Sequence, residues 1–302
     1  MILVNGQEVI MNEFPNGESV LDSERLAESA GRSLQGAEQA QAQQPLHVEL
    51  KFESDADLFH LLLVKRELDT LLVRMRRPGW PIVLFIGYMP YSRMDRGEGG
   101  RGFTLKTTAE LINLMDFSWV ETGEPHSDVT PAVINRSIVR NVVEDLFPDV
   151  SAAFGLRPGS DWLIFPDAGA AKRYAPLALR NGFRYAVGIK HRDLDTGRID
   201  SLVVTAADGS GTVRATHDSA ALIIDDLCSF GGTFVLAEHS LRLAGFERIG
   251  LFVAHAESNL HRGHVLSSLD WIGVSDTLPQ ETTHENLHVF HYPRWSERAR
   301  PH

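Results

Sequence analysis

Six short, nearly continuous apolar runs recur along the chain: PIVLFIGYMP (81–90), DWLIFPD (161–167), RYAVGIK (184–190), SLVVTA (201–206), AALIIDD (220–226) and RIGLFVAHA (248–256). Runs of this kind suit strands covered on both faces. Helical patterns such as GTFVLAEHSLRLAG (232–245) separate some of them, giving βαβ units and a largely parallel sheet. In such α/β folds ligands sit beyond the carboxyl ends of the strands. The polar motifs of this chain fall at those ends, which points to an enzyme.

A further stretch, DADLFHLLLVKRELDTLLVRMRR (55–77), carries long helical periodicity and stops at Pro78-Gly79. The polar repeat QGAEQAQAQQ (35–44) reads as a surface helix or connector without chemistry. With 302 residues the chain is long enough for two domains, and 43% hydrophobic content supplies sizeable cores. The formal net charge of -11 argues against a non-specific nucleic-acid binder, while leaving room for a local basic site. One cysteine, Cys228, excludes an internal disulfide framework and a cysteine-built metal site. No apolar stretch approaches the roughly 20 residues of a membrane helix, and no signal-peptide pattern is present, so a cytoplasmic location is expected.

The chemistry concentrates in IIDDLCSFGGTF (223–234). Adjacent side chains on a strand point to opposite faces, so one of Asp225 and Asp226 can meet a ligand's hydroxyls or a metal while the other braces the loop. The following Ser229, Phe230, Gly231, Gly232 and Thr233 can present successive backbone N–H groups ahead of a helix N-terminus, an anion cradle. A plain strand-turn-helix connection with a capping threonine is the alternative. The segment resembles the ribosyl-phosphate-binding motif shared by type I phosphoribosyltransferases and ribose-phosphate pyrophosphokinases.

Four other segments resemble the pyrophosphokinases specifically, in the family's order. In YMPYSRMDRGEGGRGFTLK (88–106), Pro90, Tyr91, Arg93, Asp95, Arg96 and Arg101 match a Pro-Tyr-x-Arg-x-Asp core with its basic loop; arginine offers a donor fork suited to phosphate oxygens. In ETGEPHSDV (121–129), His126 matches a metal-linked histidine. FPDAGAAKR (165–173) resembles the Pro-Asp-x-Gly motif, making Asp167 a magnesium-site and ribose-site candidate, and in GIKHR (188–192) Lys190 and Arg192 match paired basic residues that reach the transferring phosphoryl group. Near the N-terminus EFPNGESV (13–20) resembles a hairpin that enters a neighbouring subunit's adenine pocket, with Phe14, Asn16 and Glu18 in the matching places.

The resemblance implies an α/β fold of two type I phosphoribosyltransferase-like domains with mainly parallel sheets, here divided into 1–136 on the ATP side and 137–302 on the ribose-phosphate side. It implies ATP-dependent pyrophosphoryl transfer to ribose 5-phosphate with release of AMP, magnesium as cofactor held through His126 and Asp167, and a homo-oligomer, a dimer or a hexamer built of dimers. By the same resemblance Lys190, Arg192 and Arg93 act on the transferring group. Phe14, Asn16, Glu18, Arg93, Asp95 and Arg101 bind ATP, and Asp167, Asp225, Asp226 and the 229–233 loop bind the acceptor. No nucleic acid or membrane partner is implied.

The departures bear on the acceptor. The family's loop runs Asp-Thr-x-Gly-Thr, whereas Ser229 and Phe230 stand here in place of the acid and the first threonine. A phenyl ring donates no hydrogen bond to phosphate, and losing such a bond costs ~1.5–3 kcal/mol unless another donor substitutes. The ring instead suits a wider slot or an extended substituent, so ADP-ribose is a rival acceptor. Met94 and Glu124 also replace a glutamine and an aspartate. A phosphoribosyltransferase and a non-catalytic regulatory homologue are the other readings. The first does not need Arg93, GIKHR or the hairpin, and the second should have lost Lys190, Arg192, His126 and Asp167.

Overall fold

The computed structural model describes residues 1–39, 44–192, 199–207, 209, 211–216, 218–280 and 284–293, and within these the side chains of 32, 33, 35–39, 190–192 and 199–201 are left aside. Contacts divide the chain into two compact units, the first formed chiefly by Met1–Asn141 with Thr277–Pro279, the second by Val142–Asp276 with Gln280–Tyr292.

In the first unit the elements run β1 (Ile2–Val4), β2 (Gln7–Glu8), β3 (Met11–Glu13), β4 (Ser19–Leu21), α1 (Ser23–Gln39), β5 (Leu46–Leu50), α2 (Ala56–Arg74), β6 (Ile82–Ile86), α3 (Thr104–Leu114), β7 (Trp119–Gly123), α4 (Val129–Val133) and β8 (Ser137–Arg140). Six strands form one sheet in the order β2-β1-β5-β6-β7-β8. From β5 to β8 the pairing is parallel, while β1 runs antiparallel to β5. The helix expected over 55–77 is α2, and the positive φ of Arg76 (58°) breaks the helical path just before Pro78-Gly79. Helix α1 takes up the polar repeat as far as Gln39, and residues 40–43 lie outside the described residues. The hairpin forms a separate ribbon, β3 pairing antiparallel with β4.

The second unit runs α5 (Val142–Phe154), β9 (Trp162–Phe165), α6 (Ala168–Arg180), β10 (Arg184–Arg192), β11 (Ile199–Ala206), β12 (Ala220–Cys228), α7 (Gly232–Leu243), β13 (Arg248–Ala256), a 3-10 turn (Ser258–Arg262), α8 (Val265–Ser268), β14 (Trp271–Ser275) and β15 (Leu287–Phe290). Its sheet has the order β11-β10-β9-β12-β13-β14-β15, parallel throughout except for β11, which pairs antiparallel with β10. Both faces are covered, which is why the strands read as unbroken apolar runs. Phe234, Ala237 and Leu241 of α7 join Ile164 and Ile223 in one core cluster. On the opposite face the Phe165 ring meets Tyr174 of α6 at 6.2 Å, and Phe154 of α5 packs so close to Gly250 that a Cβ there would lie 2.7 Å from the ring.

Sequential strands β9 and β10 lie side by side, then the chain crosses to place β12 on the other side of β9. That reversal is a topological switch point, and the crevice beyond the carboxyl ends of β9 and β12 is where an open α/β sheet receives ligands. Among the described residues no helix is long and apolar enough to cross a membrane.

At the opposite end of these strands Asp161 is fully buried (0% exposed) and accepts from the backbone N–H of Arg157 (2.7 Å) and of Ala220 (2.8 Å), pinning the starts of β9 and β12 together. Burial by itself would push its carboxyl up, but the Arg157 guanidinium and these N–H donors outweigh it and hold the pKa below the ordinary value. The stabilisation is therefore present above the unfolded carboxylate pKa and is lost as pH falls through the folded one. Asp161→Asn is expected to cost about 1.5–3 kcal/mol at neutral pH and to shrink the loss on acidification, measured by urea unfolding at pH 7 and in acid; unchanged unfolding midpoints would remove this role.

Candidate active site

Strand β12 lies between β9 and β13, and its last residues carry the two acids to the crevice. Asp226 is 4% exposed, and Arg173 of α6 approaches it with Nη2 2.8 Å from Oδ1; the same Nη2 is 3.5 Å from Asp225 Oδ1. The Asp226 backbone N–H donates to Asp225 Oδ1 at 2.9 Å. Although strand alternation separates their Cβ directions, one guanidinium thus reaches both carboxylates at the strand end.

The electrostatics are unequal. Burial pushes the Asp225 carboxyl well above its ordinary range, Asp226 adds to the shift, and Arg173 opposes it. Burial also works against the Arg173 charge, but Tyr174 and Asp226 hold its pKa above the usual guanidinium value. Ionising Asp225 consequently costs stability as pH rises from the ordinary carboxylate range through the raised value.

Arg173 was not among the site residues expected from sequence. Its signal was nevertheless present: it lies three residues after Ala170 and four before Leu177, both buried on α6, so a cation stands on the helix's inward stripe.

Beyond the acids the loop turns on Gly231, whose φ of 77° is left-handed and which caps α7. A Cβ there would lie 2.7 Å from Cβ of Val265, so this position combines a conformation and a clearance that only glycine meets. Gly231 is buried, Gly232 exposed, Ser229 and Thr233 half-buried, and the Phe230 ring is 55% exposed, pointing away from the core. Cys228, at the end of β12, is buried and its thiol is pushed up to about 12 by burial and by Asp225 and Glu257, which makes it an inert neighbour.

Asp167 follows β9 on the other side of the crevice and caps α6, its Oδ1 accepting the Ala170 N–H at 3.0 Å. Lys190 and Arg192 belong to the backbone of β10, beside β9, but their side chains lie outside the described residues. Gly188, two residues earlier, lets β10 pass so close that a Cβ would sit 2.7 Å from the Pro166 carbonyl oxygen.

In the first unit the segments after the parallel neighbours β6 and β7 carry the remaining candidates at one edge of the sheet. Tyr91 adopts a positive φ of 61°, its ring lies 6.4 Å from that of Phe52, and its hydroxyl donates to Asp55 Oδ1 at 2.5 Å. From that anchor the chain presents Arg93 and Arg101 as exposed side chains and Asp95 as a half-buried one, 3.3 Å from Nε of Arg96. His126 is exposed after β7, two residues beyond buried Glu124. On the β3–β4 ribbon Phe14 is 52% exposed, and Asn16 Nδ2 donates to Glu18 Oε2 at 2.8 Å. Among the described residues no group of three or more His, Cys, Asp or Glu side chains is assembled to hold a metal.

No protein-family model matches the chain. It is 26% identical to the ribose-phosphate pyrophosphokinase of Sulfolobus acidocaldarius over 211 residues, covering 67% of each chain. With the ribose-phosphate pyrophosphokinase of Sulfurisphaera tokodaii it shares 24% over 205 residues, 66% of each. With that of Pyrococcus furiosus it shares 24% over 202 residues, 65% of this chain and 66% of the other. The chain thus spans about two thirds of the length of the curated relatives it matches. The phosphoribosylpyrophosphate synthetase of Mycobacterium smegmatis has the same fold, with a TM-score of 0.70 at 17% identity over 94% of this chain and 86% of that one. In sequence the chain is thus similar to ribose-phosphate pyrophosphokinases, and it shares its α/β fold with a phosphoribosylpyrophosphate synthetase.

Proposed function

We propose that the protein is an ATP-dependent pyrophosphokinase acting on a ribose 5-phosphate-type acceptor. The observation that carries this reading is the meeting of Asp225, Asp226 and the Gly231 loop at the switch point between β9 and β12, which supports a diol site beside an anion cradle. The acceptor's anomeric hydroxyl oxygen attacks the β-phosphorus of ATP, the bond from that phosphorus to the α-phosphate bridging oxygen breaks, the hydroxyl proton is lost, and AMP leaves. Such transfer needs alignment and charge stabilisation rather than covalent catalysis. In this reading Asp225 and Asp226 orient the ribose hydroxyls, and the N–H groups of 231–233 hold the 5-phosphate. Lys190, Arg192 and Arg93 stabilise charge on the transferring group. Phe14, Asn16, Glu18, Asp95 and Arg101 bind ATP.

Magnesium fits the donor set modestly: it is bound through one or two carboxylates and substrate phosphates while keeping its waters, so it needs no protein cage. By the family resemblance the Asp167 carboxylate would hold it, and when bound it would neutralise phosphate charge.

A second acceptor, ADP-ribose, is favoured by Phe230. An exposed ring where the family's loop carries a hydroxyl leaves the outer wall of the cradle apolar and open, which suits a ribose whose 5-phosphate continues into a diphosphate ester. The activity is tested by incubating the protein with ATP, magnesium and each acceptor and reading AMP and product by mass spectrometry. Lys190→Ala is expected to lower kcat by about 10²–10³ with ATP affinity retained; near-normal turnover in the folded variant removes Lys190 from the reaction. By the family resemblance the Phe14 hairpin completes a neighbour's adenine site, so the active species is expected to be a homo-oligomer. Sedimentation at assay concentration reads this, and a fully active monomer refutes it. Ser229→Asp with Phe230→Thr is expected to move the kcat/KM ratio towards ribose 5-phosphate, since discrimination is a difference of transition-state free energies. An unchanged ratio would make the loop a neutral variation.

A further inference from the structure

The segment that follows β13 is fastened to the cradle loop at three points. The Glu257 N–H donates to the Cys228 carbonyl at 2.9 Å. Gly263 lies against the Phe230 backbone so tightly that any Cβ would overlap the Phe230 carbonyl oxygen. Val265 is buried beneath Gly231, within 2.7 Å of where a Cβ would stand. Leu260, fully buried, anchors the turn between the first two points.

These fastenings hold the backbone of residues 261–264 against the Phe230 backbone. His261 is half-buried, Arg262 and His264 are exposed, and among the described residues none of the three side chains enters an ion pair. The His264 carbonyl accepts from the hydroxyls of Ser267 (3.0 Å) and Ser268 (2.8 Å), which fixes its backbone. The run SNLHRGHVLSS (258–268), which follows Glu257, contains no acid, although the whole chain has a net charge of -11. The next acid along the chain, Asp270, is committed to Arg242, with both oxygens 2.9 Å from Nη2. A guanidinium fork unused by the fold, flanked by two imidazoles and fastened to the 229–233 loop, has the chemistry of a phosphate contact.

We propose that the 257–265 segment is a second arm of the cradle, in which Arg262, flanked by His261 and His264, binds an anionic group attached beyond the ribose 5-phosphate. The ligand class is a ribose carrying a 5-diphosphate ester, with the Phe230 ring against the portion leading away from the cradle. This inference rests on the reading of the 229–233 loop as the 5-phosphate site. It makes Arg262 a specificity-determining residue: a terminal 5-phosphate is held by the loop N–H groups alone, whereas the second phosphate requires the arm.

The test is calorimetric binding of ADP-ribose and of ribose 5-phosphate without ATP, paired with kcat/KM for each acceptor, in the native protein, in Arg262→Glu, in Arg262→Gln and in His261→Ala with His264→Ala. Arg262→Glu is expected to weaken ADP-ribose binding about tenfold or more, the worth of one charge-assisted phosphate contact, and to leave ribose 5-phosphate within about twofold. Arg262→Gln, which removes the charge without reversing it, should show the same preference to a smaller extent and covers a folding failure of the glutamate variant. Equal weakening of both ligands, unchanged ADP-ribose binding, or no ADP-ribose binding by the native protein overturns the proposal. Selective loss of ADP-ribose binding supports the arm even where neither acceptor yields AMP, and that lack of AMP would count against the pyrophosphokinase reading alone.

Discussion

The second unit is organised around the end of one buried strand. Strand β12 is walled by β9 and β13, so Asp225 and Asp226 can be tolerated at its carboxyl end only where a partner meets them. Arg173 is that partner, delivered by α6 from the far side of the switch point, and a single guanidinium approaches both carboxylates. Burial first, and then the neighbouring Asp226, raise the Asp225 carboxyl, and the one cation only partly offsets them. A ligand that supplies hydroxyl donors or further positive charge would offset them further. The same interaction ties α6 to β12 at the crevice.

Around that point the backbone is shaped by clearances. Gly231 is held left-handed over Val265, and Gly263 is pressed on Phe230, so the loop and the segment behind it form one packed body. Close packing of this kind allows few alternatives, and a cradle already built loses less entropy on binding an anion than one that must be ordered first. The apolar ring of Phe230 is the conspicuous departure from a phosphate loop, and its 55% exposure shows that it is not recruited into the core. An exposed aromatic at this position adds little to the core.

Much of this was legible in the residues. The six apolar runs, the helix over 55–77 and the N-terminal hairpin correspond to β6, β9–β13, α2 and the β3–β4 ribbon, because periodicity and turn chemistry are local properties of the chain. The acids at the end of AALIIDD and the glycines after them lie adjacent in sequence, so their meeting at a strand end followed from local rules. Arg173 was harder to see. It stands 52 residues before Asp225, and only the crossing of the chain from β10 to the far side of β9 brings α6 over β12.

The sequence by itself determined the α/β class, the parallel strands, the position of the acids and the need for glycine after them, since each depends on burial or backbone conformation within a few residues. Only the tertiary structure decided which cation faces those acids, that Asp167 stands across the crevice from them, and that HRGH at 261–264 lies against the Phe230 loop. These depend on strand order and on contacts between segments distant in sequence. No periodicity encodes such contacts, because they arise only when a covered sheet fixes which strand ends become neighbours.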